Sequence, residues 1–423
     1  MPKALSLSTS NWFIQYLLPI GWLVLLTGLF WAWDRSLYHK LYYGLMAAPT
    51  LIALVLQPVL LKKLLRNPLI LSFLMFGTYT SLSLLWSDTD SPATSMIKRP
   101  IYVLMLFLGT GLLAIKCPRI LPNTLFLAAV IATLSGVISL AYLIYSREGT
   151  PGLGRLSGYG ALYNPLLSAH VYGFFTAFWL ATWFAKRTPF SPVPLLSLLF
   201  LGVVIISTGS RTPLLALTAT LIWLGIAHFN RRSLIAVCTA LCLALSVLLF
   251  HPETLTNRGL SYRPDIWLKT VELILEKPWF GYGFDHHLLI TLEPSGLAFN
   301  DPHNIELAVL LSGGLAGLLL WLTLYAVALI YSWRNRRDAL VLTASALVVF
   351  GLAAGLTEGR DFLSRPKEHW FLIWIPLALL SAVWLSRTAR MEEANAPIEN
   401  SLSSVCANQA EKAREENLGC HAS

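Results

Sequence analysis

The chain is 423 residues long, 56% hydrophobic and only 13% charged, with 15 tryptophans and a net charge of +9. Soluble domains carry about 25% charged residues, so this composition excludes a string of soluble domains and points to one integral membrane domain. The positive balance does not indicate nucleic acid, because it is spread over short loops with no basic helix or aromatic-interleaved patch.

Apolar segments run over 12–31, 42–61, 68–86, 100–115, 124–145, 165–184, 193–207, 213–229, 233–250, 304–331, 339–357 and 370–386. They suit helices crossing a hydrocarbon layer of about 30 Å. The first is followed by Trp31-Ala32-Trp33-Asp34-Arg35, not by a small-residue cleavage site, so it reads as an anchor and not a removed signal peptide. With about twelve spans, both termini fall on one side. Alternate short connections carry Lys62, Lys63 and Arg66, then Lys116 and Arg119, Lys186 and Arg187, Arg231 and Arg232, and Arg334, Arg336 and Arg337. By the positive-inside rule that side is cytoplasmic. The expected fold is therefore an all-α integral membrane protein of about twelve transmembrane helices spanning 1–390, with one large external loop at 251–303. The polar, Glu- and Ala-rich stretch 391–423 reads as a disordered cytoplasmic tail.

The cysteines, Cys117, Cys238, Cys242, Cys406 and Cys420, all fall outside the external loops, so no disulfide is expected there. Arginines on the external side are more informative, because insertion gives no reason for them. They are Arg147, Arg155, Arg211, Arg258, Arg263, Arg360 and Arg365. An anionic ligand accounts for such a set.

In chain order, the glycine-rich stretch Gly149–Gly160 reads as a flexible external loop suited to gating access. Ser207-Thr208-Gly209-Ser210-Arg211-Thr212-Pro213 is a tight connection between two spans, with Pro213 placed to open a helix. Arg211 beside such a helix start suits a phosphate, or simply snorkels to the interface. In the long loop, Pro264 and Asp265 suit the first turn of a short amphipathic helix whose apolar face is Trp267, Val271, Ile274 and Leu275. Lys277-Pro278 ends it. The aromatic turn that follows contains Gly281-Tyr282-Gly283, which serves either close backbone approach or an interfacial turn. The loop closes on Asp301-Pro302-His303-Asn304, with Glu306 one helical step from His303, placed either to orient it or to complement the helix dipole. After the eleventh segment comes Glu358-Gly359-Arg360-Asp361, then Arg365, Lys367, Glu368 and His369. That charge balance suits either an acceptor site or a salt-bridged loop.

Taken in order, Ser210-Arg211 in a tight loop, Arg263 ahead of Trp267, Gly281-Tyr282-Gly283, and His303-Asn304 at the threshold of a Leu- and Gly-rich span resemble the O-antigen ligase and polymerase superfamily, most of all the lipopolysaccharide O-antigen ligases. The motifs cover Ser207 to Leu315; elsewhere only hydropathy matches. The resemblance implies a glycosyltransferase of the bacterial inner membrane, acting at the periplasmic face without metal or nucleotide cofactor. It implies a donor polysaccharide on undecaprenyl diphosphate and an acceptor hydroxyl on lipid A–core oligosaccharide.

The residue types suit that chemistry. A departing diphosphate gains negative charge, which Arg211 and Arg263, and secondarily Arg258, can stabilise as bidentate partners. A sugar hydroxyl needs a base, and His303 has the right ordinary pKa. A base opposite the leaving group favours inversion. Asn304 or Glu306 are the candidates to orient it, and Ser210, Trp267, Gly281, Tyr282, Gly283, Arg360 and Arg365 are candidates for substrate contact. The same motifs suit an O-antigen polymerase or a protein O-oligosaccharyltransferase with the same donor. A transporter is the competing class, but the midspan regions are almost free of charge.

Overall fold

The computed structural model describes residues 3–146, 154–185, 192–229, 234, 238, 262–292 and 296–394. In chain order its helices are α1 (Leu7–Phe30), α2 (Arg35–Leu56), α3 (Pro68–Trp86), α4 (Ala93–Lys116), α5 (Ile120–Tyr145), α6 (Pro165–Ala185), α7 (Pro192–Thr208), α8 (Thr212–Ala227), α9 (Arg263–Glu276), α10 (Ile305–Arg334), α11 (Ala339–Gly355) and α12 (Trp374–Ala394). Among the described residues six helices, α1 to α5 and α10, are long and apolar enough to cross a membrane, and α7, α8 and α11 are shorter apolar helices. Most of the expected segment 233–250 lies outside the described residues, and so do Arg147, Arg258, the start of Gly149–Gly160 and the tail beyond 394. Met1–Leu385 forms one compact unit, and in the second, Ser386–Ser423, the described residues continue helix α12 through 391–394.

Polar residues set the helix ends. Asp34, Asn67, Asn304 and Asp338 each cap a helix start through a side-chain oxygen accepting from backbone N–H groups one turn ahead. Within α1 and α2, wide π-turns at Phe13–Leu17 and Tyr43–Ala47 sit just ahead of Pro19 and Pro49. A proline offers no N–H and crowds the carbonyl four residues back, so the ladder widens there. The two helices then meet at Gly21, where a Cβ would stand 2.1 Å from the Leu45 carbonyl oxygen. Trp22, Phe73, Phe107, Trp321 and Trp374 fill one continuous core. Val55, Met75, Ile138 and Ile206 are well exposed, as side chains solvated by lipid are.

Two features differ from the all-helical expectation. Ile290–Leu292 and Leu297–Phe299 pair antiparallel into a small β-ribbon within the stretch 251–303. The alternation there is too short to stand out against a helical chain. In addition, α10 is broken at Gly314, whose backbone (φ 60, ψ −164) is far from helical. The aromatic turn splices this break. The N–H groups of Tyr282 and Gly283 donate to the Leu311 and Ser312 carbonyls, while those of Leu315 and Ala316 donate to the Pro278 and Trp279 carbonyls. Backbone groups freed within a membrane need such partners, because lipid supplies none.

Candidate active site

Four elements bring candidate side chains to one end of the bundle. Helix α9 begins at Arg263, after a left-handed Tyr262 (φ 57), with Pro264 and Asp265 in its first turn as the sequence predicts. Its buried face is Ile266, Thr270 and Ile274, while Val271 and Leu275 of the apolar face read from the sequence are exposed. Of the four residues of that face, Ile274 is buried and Trp267 packs against the same cluster. Trp267 stays half-buried because its indole N–H donates to the Pro302 carbonyl at 3.0 Å.

That bond secures the turn carrying His303. This residue is itself left-handed (φ 50), and its backbone N–H donates to Asp301 Oδ1 at 2.7 Å. Asn304 then does two jobs. Its side-chain oxygen caps α10 by accepting from Leu307 N–H at 2.9 Å, and its amide donates to the Leu356 carbonyl at 2.9 Å. The second bond ties the start of α10 to the end of α11. Two residues after Leu356 comes the group the sequence reading did not single out for the site, Glu358.

Glu358 is the hub. Arg263 donates to its Oε2 at 2.9 Å, and His303 Nδ1 stands 3.5 Å from its Oε1, an ion-pair contact longer than a formed hydrogen bond. The carboxylate is 6% exposed, against 26% for Arg263 and 30% for His303. Gly359 follows with φ +96, and a Cβ there would stand 2.9 Å from the His369 ring, so only glycine turns the chain so sharply behind the carboxylate. Arg211 enters through its neighbour: Thr357 Oγ donates to Thr212 Oγ at 3.2 Å, which docks the start of α8 one residue from Glu358. Arg211 is half-buried at that helix start, and Ser210 beside it is buried.

The electrostatics follow from this packing. The Glu358 contact and the Asp301 charge raise the His303 pKa above its ordinary value, against burial and the Arg263 charge. Burial opposes ionisation of Glu358, but the His303 contact together with His170, His303 and Arg263 outweighs it, and its pKa falls below the usual carboxylate value. Burial raises Asp301, despite His303. His286 is pushed down to about 4 by burial and then by Arg360, so it is neutral at physiological pH. His287 instead makes an exposed contact with Asp90 at 2.9 Å.

Other candidate residues have different surroundings. Gly281 and Gly283 serve the splice of α10: Cβ atoms there would stand 2.6 Å from Gly314 N and from the Ser87 side chain. The Tyr282 hydroxyl donates to Glu276 at 2.7 Å, away from His303's partners. The Glu306 side chain faces Trp321 and Tyr325 across the break, so the carboxylate beside His303 is Glu358. Arg360 braces the loop by donating to the Asn300 and His286 carbonyls. Arg365 is exposed on the same connection. Among the described residues no three His, Cys, Asp or Glu side chains are grouped to hold a metal ion. Glu358 carries a sequence signal of its own: like His303-Asn304, it is the first charged group at the threshold of an apolar segment, followed at once by glycine.

The family model described as O-antigen ligase matches residues 196–322, which contain Arg211, Arg263 and His303. The O-antigen ligase of Pseudomonas aeruginosa is 52% identical over 379 residues, covering 90% of this chain and 93% of that protein. A multi-pass helical chain, an imidazole and two guanidinium-bearing helix starts gathered at one end, and this similarity over nearly its whole length together place the protein in the O-antigen ligase family.

Proposed function

We propose that the protein transfers a polysaccharide from undecaprenyl diphosphate to a sugar hydroxyl of lipid A–core, at the periplasmic face of the bacterial inner membrane. The observation that carries this reading is the meeting of Arg263 and His303 on one buried carboxylate, with the Arg211 helix start docked beside it. Guanidinium groups at the rim of a helical bundle meet a diphosphate while its prenyl chain stays in the bilayer. His303 takes the proton from the acceptor hydroxyl as that oxygen bonds to the anomeric carbon. The bond from that carbon to the diphosphate breaks, and its electron pair leaves on a phosphate oxygen. Arg263 and Arg211 stabilise the charge that develops there. Attack from the face opposite the leaving group inverts the anomeric centre, and side chains alone supply these roles without a metal ion.

The test is a ligation assay with purified lipid-linked donor and lipid A–core. His303→Ala is expected to lower turnover about 10²- to 10⁴-fold, the range for a general base. Arg263→Lys is expected to rescue Arg263→Ala poorly, because the ammonium lacks the planar fork. Full activity in the His303 variant removes the base assignment. Activity that disappears on chelation and returns with a divalent ion contradicts the metal-free mechanism. In cells, deletion is expected to leave unligated lipid-linked polymer; a core capped by a single repeat would point to polymerase activity instead.

A further inference from the structure

Glu358 is shared between two groups that the proposed reaction uses at different moments. Its Oε2 holds Arg263 at 2.9 Å and its Oε1 faces His303 at 3.5 Å. Arg263 reaches it through one terminal nitrogen, while its Nε is buried and has no hydrogen-bond partner among the described residues. His303 Nδ1 is likewise buried without a formed hydrogen bond. Neither contact is saturated. An arginine with a donor to spare, one quarter exposed and held by a single bond among the described residues, is poised to turn toward an incoming dianion.

We infer that Glu358 is a positioning residue that couples donor binding to the base: a bound diphosphate draws Arg263 away, and the freed carboxylate closes on His303. The inference rests on the reading of Arg263 as a diphosphate ligand. In the donor-free arrangement Arg263 screens Glu358 and places a positive charge near the imidazole. With donor bound, that charge is committed to phosphate oxygens. The carboxylate then stabilises the imidazolium that forms as His303 takes the acceptor proton, and it holds the ring so that Nε2 faces the acceptor. An acceptor reaching an empty site therefore meets a poorly assembled base.

The surroundings restrict which groups can take part. Asp301 approaches His303 Nδ1 no closer than 4.0 Å and spends the same oxygen on the His303 backbone. Beneath Glu358 lie His170, which is fully buried, and His369, with ring centroids 6.3 Å apart. Both act on Glu358 electrostatically, together with His303, Arg263 and Asp301. Both are closed off from solvent, so a soluble ligand does not reach them directly.

The experiment titrates His303 in the full-length protein in detergent, with farnesyl diphosphate as probe and farnesyl monophosphate as control. Diethylpyrocarbonate modification of the His303 peptide, followed by mass spectrometry across pH, gives the midpoint; calorimetry gives binding. Farnesyl diphosphate is expected to raise the wild-type midpoint by about one pH unit, and the monophosphate by less. Glu358→Gln is expected to start from a lower midpoint and respond little. Arg263→Gln, which leaves the carboxylate in place, is expected to start higher and respond little. If the probe binds wild type but leaves the midpoint still, or shifts Glu358→Gln as far as wild type, the carboxylate handover is wrong while the diphosphate assignment stands. If farnesyl diphosphate does not bind at all, the assignment of Arg263 fails, and the coupling fails with it.

Discussion

His303 combines a left-handed backbone with a half-exposed imidazole and a buried carboxylate partner. A non-glycine residue at φ 50 costs about 1–2 kcal/mol, which the bonds from His303 N–H, Asn304 and Trp267 around it offset. The pH dependence follows from the same contacts. The base works as neutral imidazole, and its pKa is raised, so turnover is expected to climb with pH through a midpoint above 6.5, the ordinary histidine value. Replacing Glu358 by Gln removes the leading cause of that rise. The midpoint is then expected to move down, which a pH–rate profile of the variant checks. A profile centred below the ordinary value in the wild-type enzyme contradicts this account. Gly359→Ala tests the turn behind the carboxylate: with φ +96 and the His369 ring 2.9 Å from the new methyl, a loss of about 1–3 kcal/mol is expected in thermal unfolding.

Among the elements, the broken helix α10 sets the geometry. Gly314 reverses the ladder, and the turn Trp279–Gly283 supplies partners for the groups released on both sides of the break. A methyl at Gly314 would lie 2.3 Å from the Trp279 carbonyl carbon, in a conformation that alanine avoids. Gly314→Ala is therefore expected to cost about 3 kcal/mol or more and to loosen the start of the helix that carries Asn304. Gly202→Ala on α7 is the contrast: no atom of the described residues lies within 4 Å of the added methyl, and the helix is expected to gain about 0.5–1 kcal/mol. Melting temperatures of the two variants against wild type separate a glycine required by packing from one that is not. The starts of α8 and α9 were legible in the sequence, because Pro213, Pro264 and Asp265 are local signals. That Ile266 joins Ile274 in the buried face of α9 was not, since only packing against the neighbouring β-ribbon and α10 selects it.

For the whole molecule, the decisive property is that polar chemistry gathers at one end of an apolar bundle. Arg211, Arg263, His303 and Glu358 share that end with the Asp90–His287 contact. The proposed orientation makes it the face away from the cytoplasm. In a cysteine-free background, Asp90→Cys is expected to react with an impermeant maleimide added to cells, and Lys63→Cys only after the membrane is opened. The reverse pattern would invert the assigned topology. Composition and hydropathy by themselves determined that the chain is a polytopic membrane protein, and the spacing of Ser210-Arg211, Arg263 and His303-Asn304 pointed to the family, because lipid solvation and helix starts leave marks within a few residues. Only the tertiary structure decided that Glu358, and not Glu306, stands beside His303, and that Gly281-Tyr282-Gly283 repairs a helix. Those pairings join residues tens of positions apart, and packing of α8, α9, α10 and α11 is what brings them within bonding distance.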